Sequence, residues 1–91
     1  MEQLLNLLDS YNNVVFDVSV FSADDLVSLQ GVKFNVYDYY KEETAIRLVN
    51  ESGAELVLPN KCQHLIDDDE EDYWLFRHNN IEVILMIESV E

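Results

Sequence analysis

Leu4, Leu7, Leu8 and Tyr11 recur at i, i+3, i+4 and i+7, with Leu5 widening the stripe. This spacing predicts an amphipathic helix over residues 2 to 11. Glu2 suits the positive end of its dipole, and Asn12-Asn13 suit its stop, since Asn tolerates the left-handed conformation. The period then falls to two. Val14, Phe16, Val18 and Val20 alternate with Val15, Asp17, Ser19 and Phe21, which predicts a strand over 14–21. Ser22 has the character of an N-cap, with Asp25 three residues on in the capping-box position. A short helix from Ala23 to Gln30 is therefore expected, burying Leu26 and Leu29 and ending at Gly31; a strand through Leu26–Leu29 is the alternative.

Alternation resumes in Val32–Tyr40, with Val32, Phe34 and Val36 on one face and Lys33, Asn35, Tyr37 and Tyr39 on the other. Lys41-Glu42-Glu43 connects to a strand over Thr44–Asn50. Glu51-Ser52-Gly53 then forms a hairpin with Ala54–Leu58, because three loop residues ending in Gly suit a type I turn with a bulge. Pro59 ends that strand by removing a donor. Asn60–Asp72 is expected to be a connection with one helical turn around Cys62–Ile66. The last hairpin pairs Tyr73–Arg77 with Ile81–Glu88 across His78-Asn79-Asn80. Ile81, Val83, Leu85 and Ile87 share one face of its second strand, and Ile84 and Met86 lie on the other. A strand apolar on both sides belongs in the middle of a sheet, covered on both faces.

The elements assemble into an α+β fold: a mainly antiparallel sheet of five to six short strands with the N-terminal helix packed on one face. A small curled barrel closed by the helix is the runner-up. Ninety-one residues make a single domain, 1–91, and 48% hydrophobic residues with 11% aromatics are enough for a compact core.

Charge changes the picture. Nineteen acids and five bases give a net charge of −14, beyond the magnitude of about 2–8 usual for a soluble domain. Residues 1–31 carry −5, residues 32–66 carry −1 and residues 67–91 carry −8. If the chain ends are neighbours, one pole of the molecule is strongly negative. Direct binding to nucleic acid or to anionic lipid is disfavoured, because both need clustered Lys and Arg. A basic partner is favoured, through electrostatic steering. One lone Cys, no signal-peptide pattern at the N-terminus and no apolar run of about 20 residues place the expected location in the cytoplasm.

The densest charge is Asp67-Asp68-Asp69-Glu70-Glu71-Asp72, fused to the most hydrophobic hairpin. Exposed carboxylates two apart on a strand lie roughly 6.6–6.8 Å apart, and a DNA strand carries a phosphate about every 3.4 Å of helix axis. Acids on loops and strand faces, including Asp17, Asp24, Asp25, Asp38, Glu42, Glu43, Glu82 and Glu88, can therefore imitate a row of phosphates. The competing reading is a solvated gatekeeper ahead of a sticky strand. The candidate partner-binding set is Asp67, Asp68, Asp69, Glu70, Glu71, Asp72 and Tyr73, with Tyr37, Asp38, Tyr39, Glu42 and Glu43. Tyr37 and Tyr39 are expected to stand exposed beside the acids as apolar anchors.

The acid run lacks the Gly and the ligand spacing of a calcium loop. Cys62, His64 and His78 are too few for structural zinc, so neither a metal site nor a cofactor is expected. Cys62 and His64, two apart, would not face each other on a helix; the expectation is a half-buried Cys and a surface His. Phosphate-binding glycine loops and nucleophile motifs are absent, so the chain reads as non-enzymatic.

In size, charge and the Asp67–Asp72 run, the chain resembles the small acidic inhibitors encoded by phages and mobile elements: anti-restriction proteins, anti-CRISPR proteins and inhibitors of uracil-DNA glycosylase, several of them DNA mimics. The resemblance covers composition along the whole chain and aligns no residue. It implies a cytoplasmic, non-enzymatic inhibitor that occupies the nucleic-acid site of a basic DNA- or RNA-processing or defence protein. An immunity, antitoxin or adaptor protein with another basic partner is the alternative, as is a homodimer or larger assembly formed through the tyrosine strand.

Overall fold

The computed structural model describes all 91 residues, Met1–Glu91. One helix, α1 (Glu2–Ser10), precedes eight strands: β1 (Val14–Ser22), β2 (Ser28–Val36), β3 (Asp38–Lys41), β4 (Ala45–Val49), β5 (Glu55–Pro59), β6 (Gln63–Ile66), β7 (Asp72–His78) and β8 (Ile81–Val90). They form a five-stranded sheet in the order β2-β1-β8-β7-β6 and a three-stranded sheet in the order β3-β4-β5. Every pairing is antiparallel. The class is α+β, as expected, but with eight strands in two sheets rather than five to six in one.

The core lies between the sheets. Phe16, Val18, Trp74, Phe76 and Leu85 of the large sheet meet Ile46, Leu48 and Leu58 of the small one. The helix contributes Leu4 and Leu8 to the same cluster. Phe16 and Trp74 pack edge to face, with ring centroids 6.2 Å apart, an arrangement that suits the aromatic quadrupoles.

Three local expectations fail for identifiable reasons. No helix forms over Ala23–Gln30. The Ser22 hydroxyl instead donates to Asp24 Oδ1 at 2.6 Å and accepts from the Val27 N–H at 3.0 Å. The polar atoms that would cap a helix thus close the β1–β2 turn, with Asp25 at φ 59. Gly31 is not a helix stop either. At φ 72 it sits with Gln30 opposite Ser19, where the β1–β2 ladder gains a bulge between Val18↔Val32 and Val20↔Leu29.

The strand expected over Val32–Tyr40 breaks at Tyr37, whose N–H donates to Val49 O at 2.8 Å as the chain leaves the large sheet for the small one. The expected helical turn at Cys62–Ile66 is strand β6, held to β7 through Gln63↔Leu75, His64↔Trp74, Leu65↔Tyr73 and Ile66↔Asp72.

β8 is central in its sheet, as its composition requires. It is not covered on both faces. Leu85 is fully buried toward the small sheet, whereas Ile84 and Met86 lie on the opposite face with Asp17, Ser19, Tyr73 and Leu75, their partners across the ladders. None of these six joins the cluster between the sheets, although Leu75 is itself buried among its neighbours on that face.

Candidate functional site: the acidic β6–β7 loop

The acid run splits into three parts. Asp67 closes the loop: its Oδ1 accepts from the N–H groups of Asp69 at 3.0 Å and Glu71 at 2.9 Å. The backbone adds Glu70 N–H to Asp67 O and Asp67 N–H to Glu71 O, each at 3.0 Å, and Glu70 adopts φ 61. Asp72 lies in β7, with its carboxylate 2.8 Å from His64 Nε2. Between them Asp68, Asp69, Glu70 and Glu71 are exposed, and none takes part in an ion pair. The local chain is therefore built to hold four carboxylates outward at the end of the large sheet.

His64 departs from the expected surface histidine. It is half-buried and stacks on Trp74 with centroids 5.1 Å apart and planes 18° apart. Its other contact, Asp72, is the last residue of the acid run. Trp74 Nε1 is shielded from solvent with no hydrogen-bond partner. The trio His64–Asp72–Trp74 anchors the base of the loop to the core. Recognising it from sequence would have required the β6–β7 register, which the short β6 conceals.

The other candidate residues are distributed. Tyr73 lies on the outer face of the large sheet, beside Leu65 and Met86. Tyr37 is 68% exposed and Asp38 follows it at the corner into β3, beyond β2. Since β2 and β6 are opposite edges of a five-stranded sheet, four spacings of about 4.8 Å separate them, roughly 19 Å. Tyr39 is half-buried against the core, not exposed beside Tyr37, because the change of sheet resets the alternation. Its hydroxyl donates to Asp9 Oδ1, and that bond is the main reason its pKa is raised from the usual tyrosine value. Tyr40, a further candidate interface anchor by residue type, is 52% exposed and donates to Asp38 Oδ2 at 3.0 Å, which raises its pKa in the same way. Glu42 and Glu43 occupy the β3–β4 turn, where Glu42 accepts from Arg47 Nε at 2.9 Å. Glu55 holds the other side of that guanidinium at 2.6 Å, and the two carboxylates raise the Arg47 pKa further.

The chain ends are neighbours: the N–H groups of Asn12 and Asn13 both donate to Glu91 O, and Glu91 N–H donates to Asn13 O. Even so, the charge does not gather at one pole. Asp24 and Asp25 sit at the β1–β2 turn, and Glu82 lies near the β7–β8 turn, at the far end of the sheet from the acid loop. Hydrogen bonds from Ser22 and from the Leu26 N–H hold the Asp24 carboxyl below its ordinary pKa.

No three His, Cys, Asp or Glu side chains converge in a way that could hold a metal ion. The largest cleft, about 510 Å³, opens between Ala45, Val57 and Leu58 on one side and His78, Ile81 and Val83 on the other. It is mainly apolar, and His78 is its only titratable group. The single helix is nine residues long, and no helix is long and apolar enough to cross a membrane.

Together these features define a small α+β domain displaying a structured acidic loop. Comparison with protein-family models, curated proteins and solved structures finds no match for the chain.

Proposed function

We propose that the protein is a non-enzymatic inhibitor whose β6–β7 loop engages the basic nucleic-acid site of a DNA- or RNA-processing or defence protein. One observation carries the reading: a loop closed by Asp67 and anchored through Asp72 presents four consecutive unpaired carboxylates. A merely solvated charge run has no need of such a frame. The global charge supports it. Four of the nineteen acids pair with Lys or Arg, which leaves fifteen without such a partner. That field accelerates encounter with a positive cleft and makes binding strongly salt-dependent. Carboxylates replacing phosphates against Arg and Lys form charge-assisted, often bidentate hydrogen bonds.

The test is affinity capture from a host lysate on the immobilised protein, followed by elution with duplex nucleic acid or with salt. The proposal expects nucleic-acid-binding proteins that are released by either. Partners that resist both overturn it. Release by salt but not by nucleic acid favours an immunity, antitoxin or adaptor role toward a basic protein of another kind.

A further inference from the structure

The outer face of the large sheet is covered by no element of the chain. Its centre is apolar: Leu65, Tyr73, Leu75, Ile84 and Met86 occupy adjacent positions in the ladders, and Phe21 lies one step further along, opposite Glu82. Its charge is unlike that of the remaining surface. Lys33 pairs with Glu88 at 2.6 Å and Arg77 with Glu82 at 3.3 Å. With Asp17 on the face, two cations meet three acids, and Lys61 lies beside Arg77 at its rim. The face thus carries a net −1 on a molecule of charge −14, and it holds two of the five cations. Like-charged copies that repel elsewhere can approach here.

We propose that this face pairs with the same face of a second copy, giving a symmetric sandwich of two five-stranded sheets. Five strands about 4.8 Å apart and seven residues at about 3.3 Å each give a footprint of roughly 550 Å² before corrugation. Side-chain relief brings that toward the roughly 800 Å² per partner of a standard interface. A two-fold interface matches a patch to itself. An axis along the strands carries the acidic loop of one copy over the β2 edge of the other, where Lys33 lies; an axis across them carries it over Lys61 and Arg77. Either arrangement sets acid against base. The inference does not rest on the inhibitory role, although either arrangement brings the loop against the rim of the second copy.

Sedimentation velocity from micromolar to hundreds of micromolar protein tests it. The wild type is expected to shift from a species of 10.6 kDa toward twice that mass. Ile84→Lys should weaken self-association by more than about tenfold, because it places an unpaired cation in an apolar contact. Leu26→Lys, at the exposed β1–β2 turn, should leave association unchanged. The Met86 methyl resonance of the wild type gives a readout that needs no variant and should move on dilution. A wild type that is monomeric throughout, or an Ile84→Lys variant that still folds and dimerises normally, overturns the proposal. So does a Met86 signal that is constant on dilution and responds only to added polylysine, which would assign the face to a basic partner.

Discussion

Single residues of one chemical type do opposite work in the acid run. Asp67 turns its carboxylate inward to the backbone N–H groups of Asp69 and Glu71, and its neighbours turn theirs outward. Asp67→Ala should therefore cost about 1 kcal/mol, the usual loss of a side-chain cap on backbone donors, measured by urea unfolding. Asp68→Asn, Asp69→Asn, Glu70→Gln and Glu71→Gln combined should leave stability equal or higher, since they remove like charge and no hydrogen bond, while partner capture falls. A second residue-scale expectation concerns Tyr39. The hydrogen bond to Asp9, then burial, raises its pKa. A group whose folded pKa lies above its unfolded value contributes stability that is fully present below the unfolded pKa, about 10 for tyrosine, and is lost as pH rises through the folded value. The Asp9–Tyr39 contribution should hold through neutral pH and disappear only in strong alkali. Tyr39→Phe should cost about 1 kcal/mol, at the low end for a bond to a charged acceptor because the site is partly exposed, and should remove part of the late-titrating tyrosine absorbance change that Tyr39 shares with Tyr40.

At the level of elements, what could be read from the chain was what is local. The α1 stripe, the β4–β5 hairpin around Gly53 and the β7–β8 hairpin around Asn79 all carry their own periodicity and turn chemistry, and all form. Two failures, at Ala23–Gln30 and at Cys62–Ile66, share a cause: a short segment whose conformation is decided by a partner strand. Ser22 and Asp24 can cap a helix or close a hairpin equally well, and pairing of Ser28–Val36 with β1 settles which. Four residues of β6 carry too little alternation to announce a strand, so the His64 contacts to Trp74 and Asp72 stayed hidden although the acids beside them were plain. The break at Tyr37 is a tertiary event, and it explains why Tyr39 turns inward. Gly31 supplies a test at this scale. Its φ of 72 lies where side chains are strained, although nothing crowds the space a Cβ would take. Gly31→Ala should cost about 1 kcal/mol through the backbone alone, with faster amide exchange confined to the outer half of the β1–β2 hairpin.

Across the whole molecule, one quantity has two opposite consequences. Fifteen carboxylates without a Lys or Arg partner repel one another within extents of 37 × 31 × 24 Å. At about 0.01 M salt the screening length is about 30 Å, so nearly every pair of acids interacts; at about 0.15 M it is about 8 Å and only neighbours do. Folding holds these charges closer than the unfolded chain does, so salt should relieve more repulsion in the folded state. The surface ion pairs Lys33–Glu88 and Arg77–Glu82 weaken over the same range, but each is worth about 1 kcal/mol at most. Nineteen acids against five bases therefore set the sign. The melting temperature should rise with salt, by about 5 °C for each kcal/mol relieved in a domain of this size. Capture of a basic partner should fall over the same interval, because steering and carboxylate–cation contacts are screened together. The two slopes separate the rival readings of the acidic loop. A run that only keeps the protein soluble gives a rising melting temperature and no partner to lose. A run that binds gives both slopes, and neutralising Asp68 to Glu71 flattens the second far more than the first, since four charges at one end of the sheet are a minor share of the internal repulsion but the whole of the displayed loop.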